Sequence, residues 1–130
     1  MKEEITTSAS PAPVGPYSQG LRTETLVLVS GQVPLDPEVG RIPEGIEAQT
    51  HQVLRNVRSI LEAGGSSMDD VVKVTAHLAD LADYEAFNRV YREHFRPPYP
   101  VRTTVGSQLL GILLENDVIA VRSAERPGRG

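Results

Sequence analysis

From Ile46 to Gly65 the chain reads IEAQTHQVLRNVRSILEAGG. Ile46, Thr50, Val53, Leu54, Val57, Ile60 and Leu61 recur at three- and four-residue steps, which predicts a helix with one apolar stripe and one polar face. Gly64-Gly65 is its natural stop. A helix that is apolar on one side must bury that side against a second layer, and the rest of the sequence supplies that layer as strands. Leu26–Val33, LVLVSGQV, is β-branched and apolar and pairs as a hairpin with Tyr17–Thr23 across Glu24-Thr25. Leu35–Gly45 is turn chemistry, with two prolines and two glycines. In DVVKVTAHLAD, Val72, Val74, Ala76 and Leu78 face one way and Lys73, Thr75 and His77 the other. A second helix, YEAFNRVYREHF, puts Tyr84, Phe87, Val90, Tyr91 and Phe95 on its core side. Asp80 or Asp83 can cap it, and Pro97-Pro98 ends it. RTTV and ILLENDVIAV close the chain as two more strands.

The predicted order is β-β-α-β-α-β-β: an α+β fold with a mixed sheet and both helices on one sheet face. Residues 1–13 read as a loosely held polar segment and ERPGRG as a frayed tail. Residues 1–130 form a single domain, since no linker or repeat divides them and the length suits one core. Nothing in this order covers the sheet face away from the helices, and apolar residues on that face predict self-association.

ILLENDVIAV sharpens that expectation. Leu113, Glu115, Asp117, Ile119 and Val121 fall on one face, and Ile112, Leu114, Asn116, Val118 and Ala120 on the other. If the helices cover the second set, both carboxylates look toward a subunit interface. There they need donors or a cation, and Arg102 is a candidate, within a subunit or across subunits. Spacing alone leaves two readings open. Glu115 and Arg102 form a structural ion pair, or Arg102 grips a ligand carboxylate with its two-pronged head while Glu115 handles a proton or a water.

Composition excludes several functions. The net charge is −4 and no Lys/Arg cluster is present, which disfavours nucleic acid as a partner, because phosphate-backbone affinity comes from basic residues. The absence of cysteine removes thiolate nucleophiles, disulfides and Cys-based zinc sites. His51, His77 and His94 are far apart in sequence and read as surface or core residues, and Asp69-Asp70 reads as a solvated turn. The start of the chain has no apolar signal region and no run reaches about 20 apolar residues, so the expected setting is cytoplasmic, without a membrane.

Four stretches carry a family likeness, in order and over residues 10–122: APVGPYSQG, VSGQVPLDPEVG, DYEAFNRVYREHF and PVRTTV…LLENDVIAV. The chain resembles the reactive intermediate deaminase A family (RidA, also called YjgF). The resemblance implies a chorismate-mutase-like α+β fold, assembled as a homotrimer with sites in clefts between subunits. It also implies hydrolysis of short 2-imino acids, derived from 2-aminoacrylate and similar enamines, to 2-oxo acids and ammonia. No metal or organic cofactor is implied. By position, Arg102 matches the arginine that holds the substrate carboxylate, and Glu115 the acidic residue that places the attacking water. Tyr17 matches the aromatic residue that closes the cleft, Ser30 and Gly31 match pocket-lining residues, and Asn88 a helix amide at the edge. Thr104 stands where many members have cysteine, its backbone helping to bind the carboxylate. The sequence departs from the family in two places. The segment between Arg102 and Glu115 is about two residues shorter than in many members, and Asn116 follows the glutamate. A two-residue slip would place Asp117 in the catalytic position on the same face; gapless alignment of LLENDVIAV favours Glu115. The shortened segment keeps two alternatives in play: a larger catabolic amino-substituted acid as substrate, and a non-enzymatic carboxylate-binding module.

Overall fold

The computed structural model describes residues 1–123. The chain forms β1 (Glu3–Ile5), β2 (Gly20–Arg22), β3 (Leu26–Gln32), α1 (Ile46–Ala63), β4 (Val71–Leu78), α2 (Tyr84–His94), β5 (Val101–Gly106) and β6 (Leu114–Val121). The six strands make one sheet in the order β1-β2-β3-β6-β4-β5. Every pairing is antiparallel except β4 with β5, which is parallel. The sheet is therefore mixed, as predicted. The predicted stripe of α1 is buried from Thr50 to Leu61, and it shares one core with Val27, Val29, Val74, Ala76, Leu78, Leu114, Val118 and Ala120 of the sheet and Phe87, Tyr91 and Phe95 of the α2 region. Leu26, Leu28, Ile119, Val101 and Val105 alternate onto the opposite face, which no described element covers.

The N-terminal reading needs correction. Residues 1–13 are not loosely held throughout: Glu3–Ile5 pairs antiparallel with β2, so the chain carries one strand more than predicted. Ile5 is buried against Gly64, where a Cβ would collide with it and also stand 3.2 Å from Val27 Cγ1. Ser10 is buried and its hydroxyl donates to the Asn56 carbonyl at 2.8 Å. The buried Gln19 amide donates to the carbonyls of Thr7, Ser10 and Pro11. Side-chain hydrogen bonds, which carry no periodic signature, hold this segment.

Other differences are local. The first hairpin strand is Gly20–Arg22 rather than Tyr17–Thr23. A register shift between Val71 and Lys73 turns Val71 into the core and leaves Val72 exposed, so Val72 is not on the core face. Tyr84, expected on the core side of α2, is 43% exposed. The Asp80 carboxylate accepts from the Ala82 amide and so caps the short 3₁₀ turn Leu81–Asp83, while Asp83 precedes α2 without a side-chain cap. The ERPGRG segment lies outside the described residues.

Candidate functional site

β5 is an edge strand, with Arg102 opposite Val74 and Thr104 opposite Ala76 of β4. Val74 and Ala76 face the helices, so Arg102 and Thr104 lie on the helix side of the sheet edge. The Arg102 side chain runs against α2. Its guanidinium carbon stands 4.6 Å from the ring centre of Tyr91, 5.2 Å from Phe87 and 5.7 Å from Tyr84. One nitrogen donates to Asn88 Oδ1 at 2.8 Å and to the Tyr84 hydroxyl at 3.3 Å. Steps of four and three residues bring Tyr84, Asn88 and Tyr91 to one face of α2. The aromatic faces and the amide hold the cation in one place, while among the described residues no carboxylate pairs with it. Asn88 and Arg102, beside the Tyr84 hydroxyl, hold that phenol below its ordinary pKa. Burial pushes the Tyr91 phenol up to about 12 against the opposing pull of the nearby Arg102 guanidinium, which stands too far or at too poor an angle for a regular hydrogen bond to the buried hydroxyl.

A second group forms around β6. Glu115 sits opposite His77 of β4, and Asp117 opposite Thr75. Their neighbours Leu114, Asn116 and Val118 are buried toward the helices, so both carboxylates occupy the open face, as predicted. The ladder between β3 and β6 is regular as far as Val29 and resumes at Gln32. Ser30 and Gly31 lie in this irregularity, and the Glu115 side chain lies across Gly31. A Cβ on Gly31 would overlap the carboxylate, standing 2.8 Å from its carboxyl carbon. The amide and the hydroxyl of Ser30 both donate to the Gln19 carbonyl at 3.0 Å. This ties the bulge to the segment that begins at Tyr17, a half-exposed residue whose hydroxyl accepts from the Val14 amide at 3.2 Å. Asp117 has another partner: its carboxylate is 3.8 Å from His77 Nε2, and His77 Nδ1 is 2.8 Å from the Ser107 hydroxyl. A proton on Nε2 suits both contacts, directed at Asp117 while Nδ1 accepts from Ser107.

The sequence-predicted residues thus fall into two sets. Asn88, Arg102 and Thr104 gather on the helix side of the β5 edge; Ser30, Gly31 and Glu115 gather on the open face at the β3–β6 junction, with Tyr17 near them along the chain. Arg102 and Glu115 are on opposite faces of the sheet, so the ion pair within one chain does not form. Sequence reasoning assigned Tyr84, Phe87 and Tyr91 to the core alone; the spacing of Tyr84, Asn88 and Tyr91 was the available signal for an aromatic seat. It also read the histidines as separate. His51 Nδ1 and His94 Nε2 are 2.8 Å apart and link α1 to α2. The described residues include no cluster of three metal-ligating side chains, and no helix among them is long and apolar enough to cross a membrane.

Comparison with known proteins bears on both sets. The family model described as endoribonuclease L-PSP matches residues 7–122. A RutC family protein of Pyrococcus horikoshii is 43% identical over 125 residues, covering 94% of this chain and 99% of that protein. The chloroplastic reactive intermediate deaminase A of Arabidopsis thaliana is 43% identical over 122 residues, 92% of this chain and 65% of the plant protein. The crystal structure of Escherichia coli TdcF with bound serine superposes with a TM-score of 0.87 at 38% identity, covering 93% of this chain and 99% of TdcF. The fold, the order of the motifs and the extent of these matches together establish that the chain belongs to the endoribonuclease L-PSP family, the one that includes the RutC and reactive intermediate deaminase A proteins.

Proposed function

We propose that the protein is a cofactor-independent deaminase that hydrolyses short 2-imino acids to 2-oxo acids and ammonia, in sites completed between subunits of a homotrimer. The observation that carries this reading is the separation of the two residue sets: a guanidinium without a carboxylate partner among the described residues on one side of the sheet edge, and a carboxylate on the face that no described element covers. The name of the plant relative, reactive intermediate deaminase A, supports the reaction class.

Arg102 holds the substrate carboxylate bidentately, with its head fixed by Asn88 and the three rings. The Thr104 backbone lies two residues along the same edge. Glu115 of a neighbouring subunit orients a water and accepts its proton as the oxygen attacks the iminium carbon. The C–O bond forms as the C=N π electrons move to nitrogen. Glu115 then returns that proton to the nitrogen, the C–N bond breaks with its electron pair leaving on ammonia as an oxygen lone pair forms C=O, and the hydroxyl proton passes to Glu115 and on to the departing ammonia. Ser30 and Gly31 line the water's side and Tyr17 closes the cleft. Glu115 is preferred to Asp117 because Asp117 faces His77 while Glu115 lies free across Gly31. An imine carbon is already electrophilic, so placement supplies most of the acceleration, which is modest against the range enzymes reach.

Ammonia release from freshly generated 2-iminopropanoate tests this. The parent protein accelerates it; Arg102→Ala loses substrate binding, and Glu115→Gln lowers turnover by about 100-fold, the scale of one general-base contribution. No acceleration over buffer by the parent rejects the proposal.

A further inference from the structure

Beside Arg102, and distinct from the Glu115 side of the sheet, lies an open cavity of about 250 Å³ lined by Asn88, Tyr91, Arg92, Tyr99, Pro100 and Arg102. Among the described residues its lining supplies two guanidinium groups and no carboxylate. Arg92 is one helical turn beyond Asn88, so it projects from the same side of α2 as the amide that fixes Arg102. Among the described residues neither Arg92 nor Arg102 has an acidic partner. Two like charges sharing one cavity repel each other unless an anion lies between them. Tyr91, 5% exposed, lines this cavity as a wall, and the half-exposed Tyr99 adds a phenol that solvent reaches.

One carboxylate needs one arginine. A cavity that offers two arginines and the Tyr99 phenol suits a ligand with two acidic groups, and its volume exceeds what a methyl or ethyl side chain fills. We infer that this cavity is a side-chain subsite for a second carboxylate, and that the preferred substrates are imines of dicarboxylic amino acids, such as 2-iminosuccinate and 2-iminoglutarate. This inference rests on the proposed role of Arg102 in gripping the first carboxylate. Arg92 is then a specificity-determining residue that pairs with the distal carboxylate, with Tyr99 at the rim. The reaction is unchanged: water adds, ammonia leaves, and a 2-oxo diacid results. A flavin-dependent oxidation of an acidic amino acid is the class of reaction that supplies such imines.

The test compares kcat/KM for 2-iminosuccinate and 2-iminobutanoate, each generated in place by an amino acid oxidase, in the parent and in Arg92→Gln. The parent prefers the diacid, and Arg92→Gln lowers the preference ratio by roughly 10- to 100-fold, the loss expected of one charge-assisted hydrogen bond. A parent that favours the monoacid, or a ratio unaltered by the substitution, overturns the inference. If no imine is turned over, the deaminase reading fails by itself. Calorimetric binding of 2-oxoglutarate and 2-oxobutanoate then decides the subsite. Tighter binding of the diacid, lost in Arg92→Gln, upholds it; equal binding of the two removes it.

Discussion

Gly31 is the residue at which sequence and site meet most directly. Its place in VSGQ marked it as pocket-lining, but its physical reason is visible only in three dimensions, because the atom it avoids belongs to Glu115, far along the chain. Its φ is not positive, so alanine fits the backbone. The added methyl meets the far end of a flexible side chain, which moves aside at little cost to stability. Gly31→Ala therefore leaves the melting temperature close to the parent value and lowers kcat by about 100-fold, the scale of an ångström's misplacement of a catalytic group. Parent-like turnover in this variant would show that the carboxylate need not lie where it is. Arg102 and Glu115 were legible as residues, through the family's motifs and the face parity of β6. Their separation across the sheet was not, since face parity across different strands depends on pairing register, and register is set by partners that periodicity does not name.

At the scale of elements, regular stripes were readable and interruptions were not. The α1 stripe and the β6 alternation follow from 3.6- and 2-residue periods. The bulge that turns Val71 inward, and the three-residue β1 with two glutamates, have no period to detect. The contact between His51 and His94 joins residues 43 positions apart, and helix packing alone brings them together. It has a measurable consequence. Burial, then His51, Arg58 and Arg55, depress His94 from an ordinary 6.5 to about 4. Glu62, Asp69, Glu93 and Arg96 line the cavity on its other side. The folded state keeps the ring neutral while the unfolded chain takes up a proton near 6.5. The unfolded state therefore gains stability as pH falls from about 6.5 to 4, with no further change below. Urea midpoints of the parent should fall across that window, and His94→Gln should flatten the fall while starting from a lower midpoint at pH 8. Parallel pH curves for the two proteins would exclude His94 as the source.

At the scale of the whole molecule, the sheet face with Leu28, Val101, Val105 and Ile119 is left without cover by the described elements, and the two residue sets stand on different faces. A contact that brings the Arg102 edge of one copy to the Glu115 face of another joins two different patches, so it is heterologous. Such a contact closes only as a ring or else continues as a filament. A closed ring of three makes every site composite, with Arg102 from one copy and Glu115 from the next. This arrangement makes a prediction that no site within one subunit makes. Arg102→Ala and Glu115→Gln homotrimers each fall to about a hundredth of the parent's activity or less, because every site lacks one half. In a mixed ring, one site receives Arg102 from the Glu115→Gln copy and Glu115 from the Arg102→Ala copy, and is whole. Random mixing at equal amounts makes about three rings in four mixed, each with one working site of three, so the mixed rings recover about a third of the parent's activity. Co-expression with two affinity tags, isolation of doubly tagged rings and the ammonia assay read this out. Mixed rings as inactive as their parents would place both halves in one subunit, against the register of β4, β5 and β6.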